Sequence, residues 1–244
     1  ASPRGAARGG AGALDLRNVK ALLFDKDGTL FDFAATWEPW AEAFLLRVCE
    51  GDRGLAARVG AGIGFDLATR RFAPDSIAIA GTPQQVVDAL APHFPDRLPA
   101  DLLDIINAEA SAAPQREAVP LRPFLQGLRD RGLRLGVATN DAEHPARAHL
   151  LAAGVVDMFD FIAGFDSGHG GKPSPGQLHA FAAHVNLPAA SVAMIGDSVH
   201  DMEAARVAGM LRVAVLTGPA TAEDLAPYAD LVLPDIGHLA QRLA

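Results

Sequence analysis

The chain has 244 residues, half of them hydrophobic and 20% charged, which suffices for a sizeable core and excludes a disordered or low-complexity protein. Its formal net charge of −8 argues against a general nucleic-acid binder. The single cysteine, Cys49, excludes an intrachain disulfide and a cysteine-built zinc centre, and no apolar run approaches the ~20 residues of a membrane span.

Residues 1–13 are rich in Ala, Gly and Arg and lack an apolar signal core, so a flexible arm is expected there. The lone cysteine fits a reducing, cytoplasmic setting. Ala21 to Phe24 form a short apolar run, as expected of a fully buried strand. The run stops at Asp25-Lys26-Asp27-Gly28-Thr29. In an open α/β sheet the carboxyl ends of strands are where ligands sit. Two acids one residue apart repel unless a divalent cation or a shared proton offsets them. Alternation along an extended chain would put Asp25 and Asp27 on one side and Lys26 on the other. Gly28 would let the backbone turn or approach a ligand closely. The plain alternative is a strand followed by a solvated turn.

After Leu30 the pattern changes to helix, with Trp37, Trp40, Phe44, Leu45 and Val48 at helical spacing. Helices are expected over 55–59, 65–72, 82–90 and 98–113. That at 82 should be capped by Thr82 with Pro83 in its first turn, and Gly60 to Gly64 should be a joint. From Phe33 to about Gln115 no strand is expected. Beyond Pro120, helices at 124–131, 144–153, 177–185 and one after Asp201 ending at 208 alternate with strands at 133–138, 161–163, 192–195, 211–216 and 231–233. Such alternation implies a Rossmann-like parallel sheet with helices on both faces, an α/β fold. The helical block is too long for a crossover and reads as an insertion. The expected division is a core of 14–32 and 116–244 around an α-helical cap of 33–115.

Polar clusters follow four of these strands: Asp25 and Asp27, Thr139 and Asn140, Lys172 after a Gly-rich loop, and Asp197 with Asp201. In a parallel sheet they can converge on one edge. Each has a bland alternative: a helix cap for Thr139-Asn140 and for Asp197/Asp201, a surface loop for Lys172. Their occurrence together, in this order, favours a site. His200 and His169 are expected at the surface. Arg47, Arg58, Arg70 and Arg71 are expected to be solvated cap residues, with substrate contact as the alternative. Trp37 and Trp40 are expected in the core or at the cap hinge.

Asp-Lys-Asp-Gly-Thr-Leu, a strand-ending Thr, Gly-Lys-Pro-Ser-Pro and Gly-Asp-Ser-Val-His-Asp resemble the four signatures of the haloacid dehalogenase-like hydrolases. The likeness spans about Lys20 to Val215 and is greatest to members with an α-helical cap, phosphoglycolate phosphatases among them. It implies a phosphoric monoester hydrolase acting on a small phosphorylated metabolite, a monomer or weak homodimer without nucleic-acid or membrane partners. Asp25 would be the nucleophile, forming an aspartyl-phosphate, and Asp27 the general acid and base. Thr139, Asn140, Gly28 and Lys172 would bind the phosphoryl group. Asp25, the Asp27 carbonyl and Asp197 would hold Mg2+, with Asp201 acting through water or by orienting Lys172. The acid at Asp27 separates the chain from P-type ATPases, which carry Thr there. The alternatives are a phosphosugar mutase of the β-phosphoglucomutase type, built on the same core, and a non-catalytic binding protein on this fold.

Overall fold

A computed structural model describes residues 16–73 and 76–243; the arm expected at 1–13 lies outside the described residues. The chain opens with strand β1 (Ala21–Phe24), buried along its whole length. A long excursion follows: helices α1 (Phe33–Val48) and α2 (Arg53–Gly62), strands β2 (Phe65–Asp66) and β3 (Arg71–Phe72), then helices α3 (Ile77–Ala80), α4 (Pro83–Leu90) and α5 (Pro99–Ala112). Helix α6 (Leu121–Asp130) starts the strict alternation. It is followed by β4 (Arg134–Ala138), α7 (Glu143–Ala152), β5 (Phe161–Ala163), α8 (Gly176–His184), β6 (Val192–Gly196), α9 (Val199–Ala208), β7 (Leu211–Val215), α10 (Ala222–Leu225) and β8 (Leu231–Leu233).

Six strands form one sheet in the order β5-β4-β1-β6-β7-β8, every neighbour parallel. β1 is central: the chain fills one side with β4 and β5, then crosses to β6. That reversal of direction makes the carboxyl end of β1 a topological switch point. Period-two alternation sends Leu22 and Phe24 to one face, with Leu121, Leu125 and Leu150 of α6 and α7. Ala21 and Leu23 face Leu178, Phe181 and Ala205 of α8 and α9 on the other. The sheet is thus covered on both sides, as parallel sheets require. The excursion builds its own core around Phe44, Leu45, Val59, Val87, Leu90 and Leu102.

Two expectations fail inside the excursion. The joint expected at Gly60 to Gly64 is mostly helix, since α2 runs through Gly62. Residues 65–72 form not a helix but a two-stranded antiparallel hairpin, Phe65 opposite Phe72. Asp66 is the cause: its side chain accepts hydrogen bonds from the backbone N–H groups of Ala68 and Thr69, at 2.8 and 3.3 Å. This aspartate turn competes with helix. Arg70, at φ +57°, reverses the chain, and the Phe65 and Phe72 rings close the hairpin at 4.8 Å. The helix expected at 82 is present, and Thr82 and Gln85 form a reciprocal capping box. No helix among the described residues is long and apolar enough to cross a membrane.

Candidate active site

The carboxyl ends of β1, β4 and β6 bring Asp25, Thr139 and Asp197 to one edge of the sheet, and the loop before α8 delivers Lys172. The Lys172 ammonium donates to Asp25 Oδ1 at 2.7 Å, Asp201 Oδ1 at 2.6 Å and the Ala138 carbonyl at 2.7 Å. All three of its N–H bonds are therefore engaged. Two buried carboxylates hold it firmly protonated against the desolvation that would discharge it.

Asp25, Asp197 and Asp201 each offer an oxygen within 4.8 Å of the others, and all three residues are buried. Burial, then the charges of Asp201 and Asp27, push the Asp25 carboxyl up to about 7, although Lys172 opposes the shift. Burial drives Asp197 well above the carboxylate range, and Asp25 and Asp201 add to it. Three buried carboxylates and one lysine leave an excess of negative charge. A hard divalent cation with oxygen ligands is the group that such a donor set fits. The space around Asp197 fits the same conclusion. A Cβ on Gly218 would lie 1.6 Å from its Oδ2 and one on Gly28 2.2 Å away, so two glycines clear the room its carboxylate occupies.

Asp201 serves the ends of two elements at once. Its Oδ2 accepts from the N–H and the hydroxyl of Ser198, closing a capping box at the start of α9, while Oδ1 holds Lys172. The Asn140 side chain forms a two-way clasp on the Lys172 backbone, donating to its carbonyl at 2.9 Å and accepting from its N–H at 2.7 Å. It is a strut for the lysine loop. Thr139 Oγ1 accepts from the Asp141 N–H at 3.0 Å, which leaves its hydrogen to donate. The Gly28 N–H is taken by the Phe31 carbonyl at 2.7 Å. What this glycine supplies is its φ of +76° and an absent side chain.

The second half of the site differs from the expected alternation. β1 ends at Phe24, so the extended rule stops before Asp25. Lys26 is fully buried, and its ammonium curls back onto both oxygens of Asp27, at 2.8 and 2.7 Å. It also meets His149 Nδ1 at 3.0 Å and lies 5.3 Å from the centre of the Trp37 ring. Asp141 Oδ2 stands 3.2 Å from the same ammonium, an ion pair without hydrogen-bond geometry. Burial outweighs that lysine and, with Asp27 beside it, lifts the Asp141 carboxyl to about 6. His149 donates from Nε2 to the Ala110 carbonyl of α5, which fixes Nδ1 as the acceptor from Lys26. Burial and Lys26 lower it to about 4, so the ring is neutral. Sequence reasoning missed this cluster. The available signal was a lysine following a fully apolar strand, since a lysine buried there requires acidic partners.

A cavity opens over these groups, with Asp25, Asp27, Thr139, Lys172 and Asp197 in its floor and Trp37 and Trp40 in its wall. His200, expected at the surface, is half-buried and lines it. His169 is exposed, as expected. Arg70 pairs with Glu42 at 2.9 Å, Arg71 with Glu38 at 3.9 Å and Arg47 with Glu109, while Arg58 is exposed; none of the four lines the cavity.

Residues 19–209 match the family described as haloacid dehalogenase-like hydrolase. The chain belongs to the haloacid dehalogenase-like hydrolases. It is 33% identical over 202 residues to a phosphoglycolate phosphatase of Rhodospirillum rubrum, covering 78% of this chain and 77% of that one. It is 32% identical over 210 residues to the phosphoglycolate phosphatase of Neisseria meningitidis, covering 83% of each. Among solved structures, CbbY from Rhodobacter sphaeroides, crystallised with phosphate, superposes with a TM-score of 0.69 at 19% identity, over 91% of this chain and 96% of that one. A phosphatase of this family from Thermococcus onnurineus gives 0.64 at 23% identity, over 93% and 98%. At those identities the two structures speak for the fold.

Proposed function

We propose that the chain is a magnesium-dependent phosphomonoesterase working through an aspartyl-phosphate, with residues 33–115 as a cap over a core of 14–32 and 116–244. The observation that carries the reading is the placement of Asp25: it accepts from Lys172 and shares a buried oxygen cluster with Asp197 and Asp201. In this mechanism an Asp25 oxygen attacks phosphorus as the bond to the leaving oxygen breaks, and Asp27 supplies the proton that oxygen needs. Asp27 then takes a proton from the water that attacks phosphorus on the second step, releasing phosphate and restoring Asp25. The Thr139 hydroxyl donates to a phosphoryl oxygen, and Lys172 keeps Asp25 oriented and its charge offset. Asp25, Asp197 and the Asp27 carbonyl would hold Mg2+, whose chemistry is to neutralise charge on the phosphoryl oxygens and Asp25. Asp201 acts by orienting Lys172.

The relatives' names make phosphoglycolate the first ester to try. Asp25→Asn is expected to lower kcat by at least ~10³-fold, and EDTA to silence the enzyme until Mg2+ is returned. Full activity in either assay would overturn the mechanism. A mutase reading predicts that inorganic phosphate appears only with a bisphosphate activator; phosphate release without one favours hydrolysis.

A further inference from the structure

The cavity wall facing the carboxylates bears on the choice of leaving group, a question that rests on the hydrolase reading. The cavity is small, about 80 Å3 beside its open mouth. The 33–115 segment lines it with Phe33, Trp37, Trp40, Ile79, Val86 and Ile106, and Thr82 is its one hydroxyl-bearing contributor. Among the described residues no arginine or lysine of this segment faces the cavity. Arg70 and Arg71 lie in a separate cleft, tied to glutamates. On the core side, the three donors of Lys172 are committed to Asp25, Asp201 and Ala138. His200, in the first turn of α9, lines the cavity from the core side.

The aromatic wall is braced. Trp40 stacks flat on Phe44 at 5.0 Å, and Trp37 meets Trp40 edge-on at 5.2 Å. The Trp40 indole N–H is buried without a partner, so it offers nothing to a ligand in the cavity. A carboxylate or second phosphate pressed against this wall loses its hydration and finds no cation in exchange. An apolar ring sheds its water at a gain and packs against the indoles in a favoured aromatic geometry.

We infer that the enzyme takes phosphate monoesters whose alcohol has an uncharged, apolar body of about one ring. It discriminates against leaving groups that bear a carboxylate or a second phosphate. Phosphoglycolate and sugar bisphosphates are therefore poor substrates, despite the names of the sequence relatives.

Benzyl phosphate and phosphoglycolate make the test pair, because both are CH2–O–P esters and differ in phenyl against carboxylate. With Mg2+ present, kcat/KM for benzyl phosphate is expected to exceed that for phosphoglycolate by about 50-fold or more. Equal rates, or phosphoglycolate ahead, overturn the inference and leave the hydrolase intact. Binding is read separately. Both tryptophans of the chain line the cavity, so their fluorescence reports occupancy by the non-hydrolysable analogues 2-phenylethylphosphonate and 3-phosphonopropionate. The first is expected to half-saturate at a concentration at least about tenfold lower; the reverse order overturns the inference. If neither ester nor p-nitrophenyl phosphate releases phosphate while this binding order holds, the hydrolase reading falls and only the wall's preference for an apolar ligand stands.

Discussion

At Asp197 burial and two neighbouring carboxylates oppose ionisation, while Gly28 and Gly218 hold the space its carboxylate needs. The positive φ of Gly28 adds a second reason for glycine, because a side chain there strains the backbone by about 1–2 kcal/mol. The two effects can be separated. Gly132 also has a positive φ, +79°, but a Cβ there meets nothing within 4 Å. Gly132→Ala is expected to lose only the backbone contribution and keep full activity. Gly28→Ala should lose more stability than that and, by displacing Asp197, at least ~10²-fold in kcat/KM. Denaturant unfolding and steady-state assays of both variants check this; equal activity in the two would show that the room beside Asp197 is not needed. The carboxylates of the site were legible in the sequence because each ends or closely follows a predicted strand. The second lysine was not. Lys26 satisfies Asp27 by folding back within a turn, and no periodicity rule describes a side chain beyond the end of its strand.

The elements were read most reliably where one physical signal dominated. Alternating apolar strands and helices after Pro120 gave the parallel sheet, since only burial on both faces produces runs such as Val192 to Gly196. The 65–72 stretch failed for the opposite reason. Its apolar spacing suits a helix, but one aspartate bonding two backbone N–H groups outweighed it, and that is a local geometry rather than a pattern. Thr82 shows capping working as expected, and here it touches function, since the residue also lines the cavity. Thr82→Ala removes a hydroxyl that accepts from the Gln85 N–H at 3.3 Å. The expected cost is about 1 kcal/mol of stability. Activity toward benzyl phosphate should be retained within a few-fold, because an apolar alcohol does not need that hydroxyl. A denaturation midpoint unchanged from the parent would argue that α4 is held by packing alone.

On the scale of the molecule, the cluster around Lys26 joins the two halves. His149 on α7 accepts from Lys26 beneath it and donates to Ala110 on α5 above it, so a single neutral tautomer bridges the sheet edge and the inserted segment. Its pKa is lowered from 6.5 to about 4 by burial and the Lys26 charge, with Asp27 and the Ala110 carbonyl opposing. Between these values the unfolded chain binds a proton that the folded chain refuses. Stability from this residue is therefore full above about pH 6.5 and is lost as pH falls toward 4, by up to about 3 kcal/mol. Asp141, lifted to about 6, contributes with the opposite sign over part of the same range. A difference measurement removes that contribution. His149→Gln can accept from Lys26 and donate to Ala110 without titrating, and it leaves Asp141 in place. Urea midpoints from pH 7 to pH 4 are expected to fall more steeply for the parent than for His149→Gln. Parallel profiles would mean that the imidazole accepts a proton without breaking the bridge between α5 and the core.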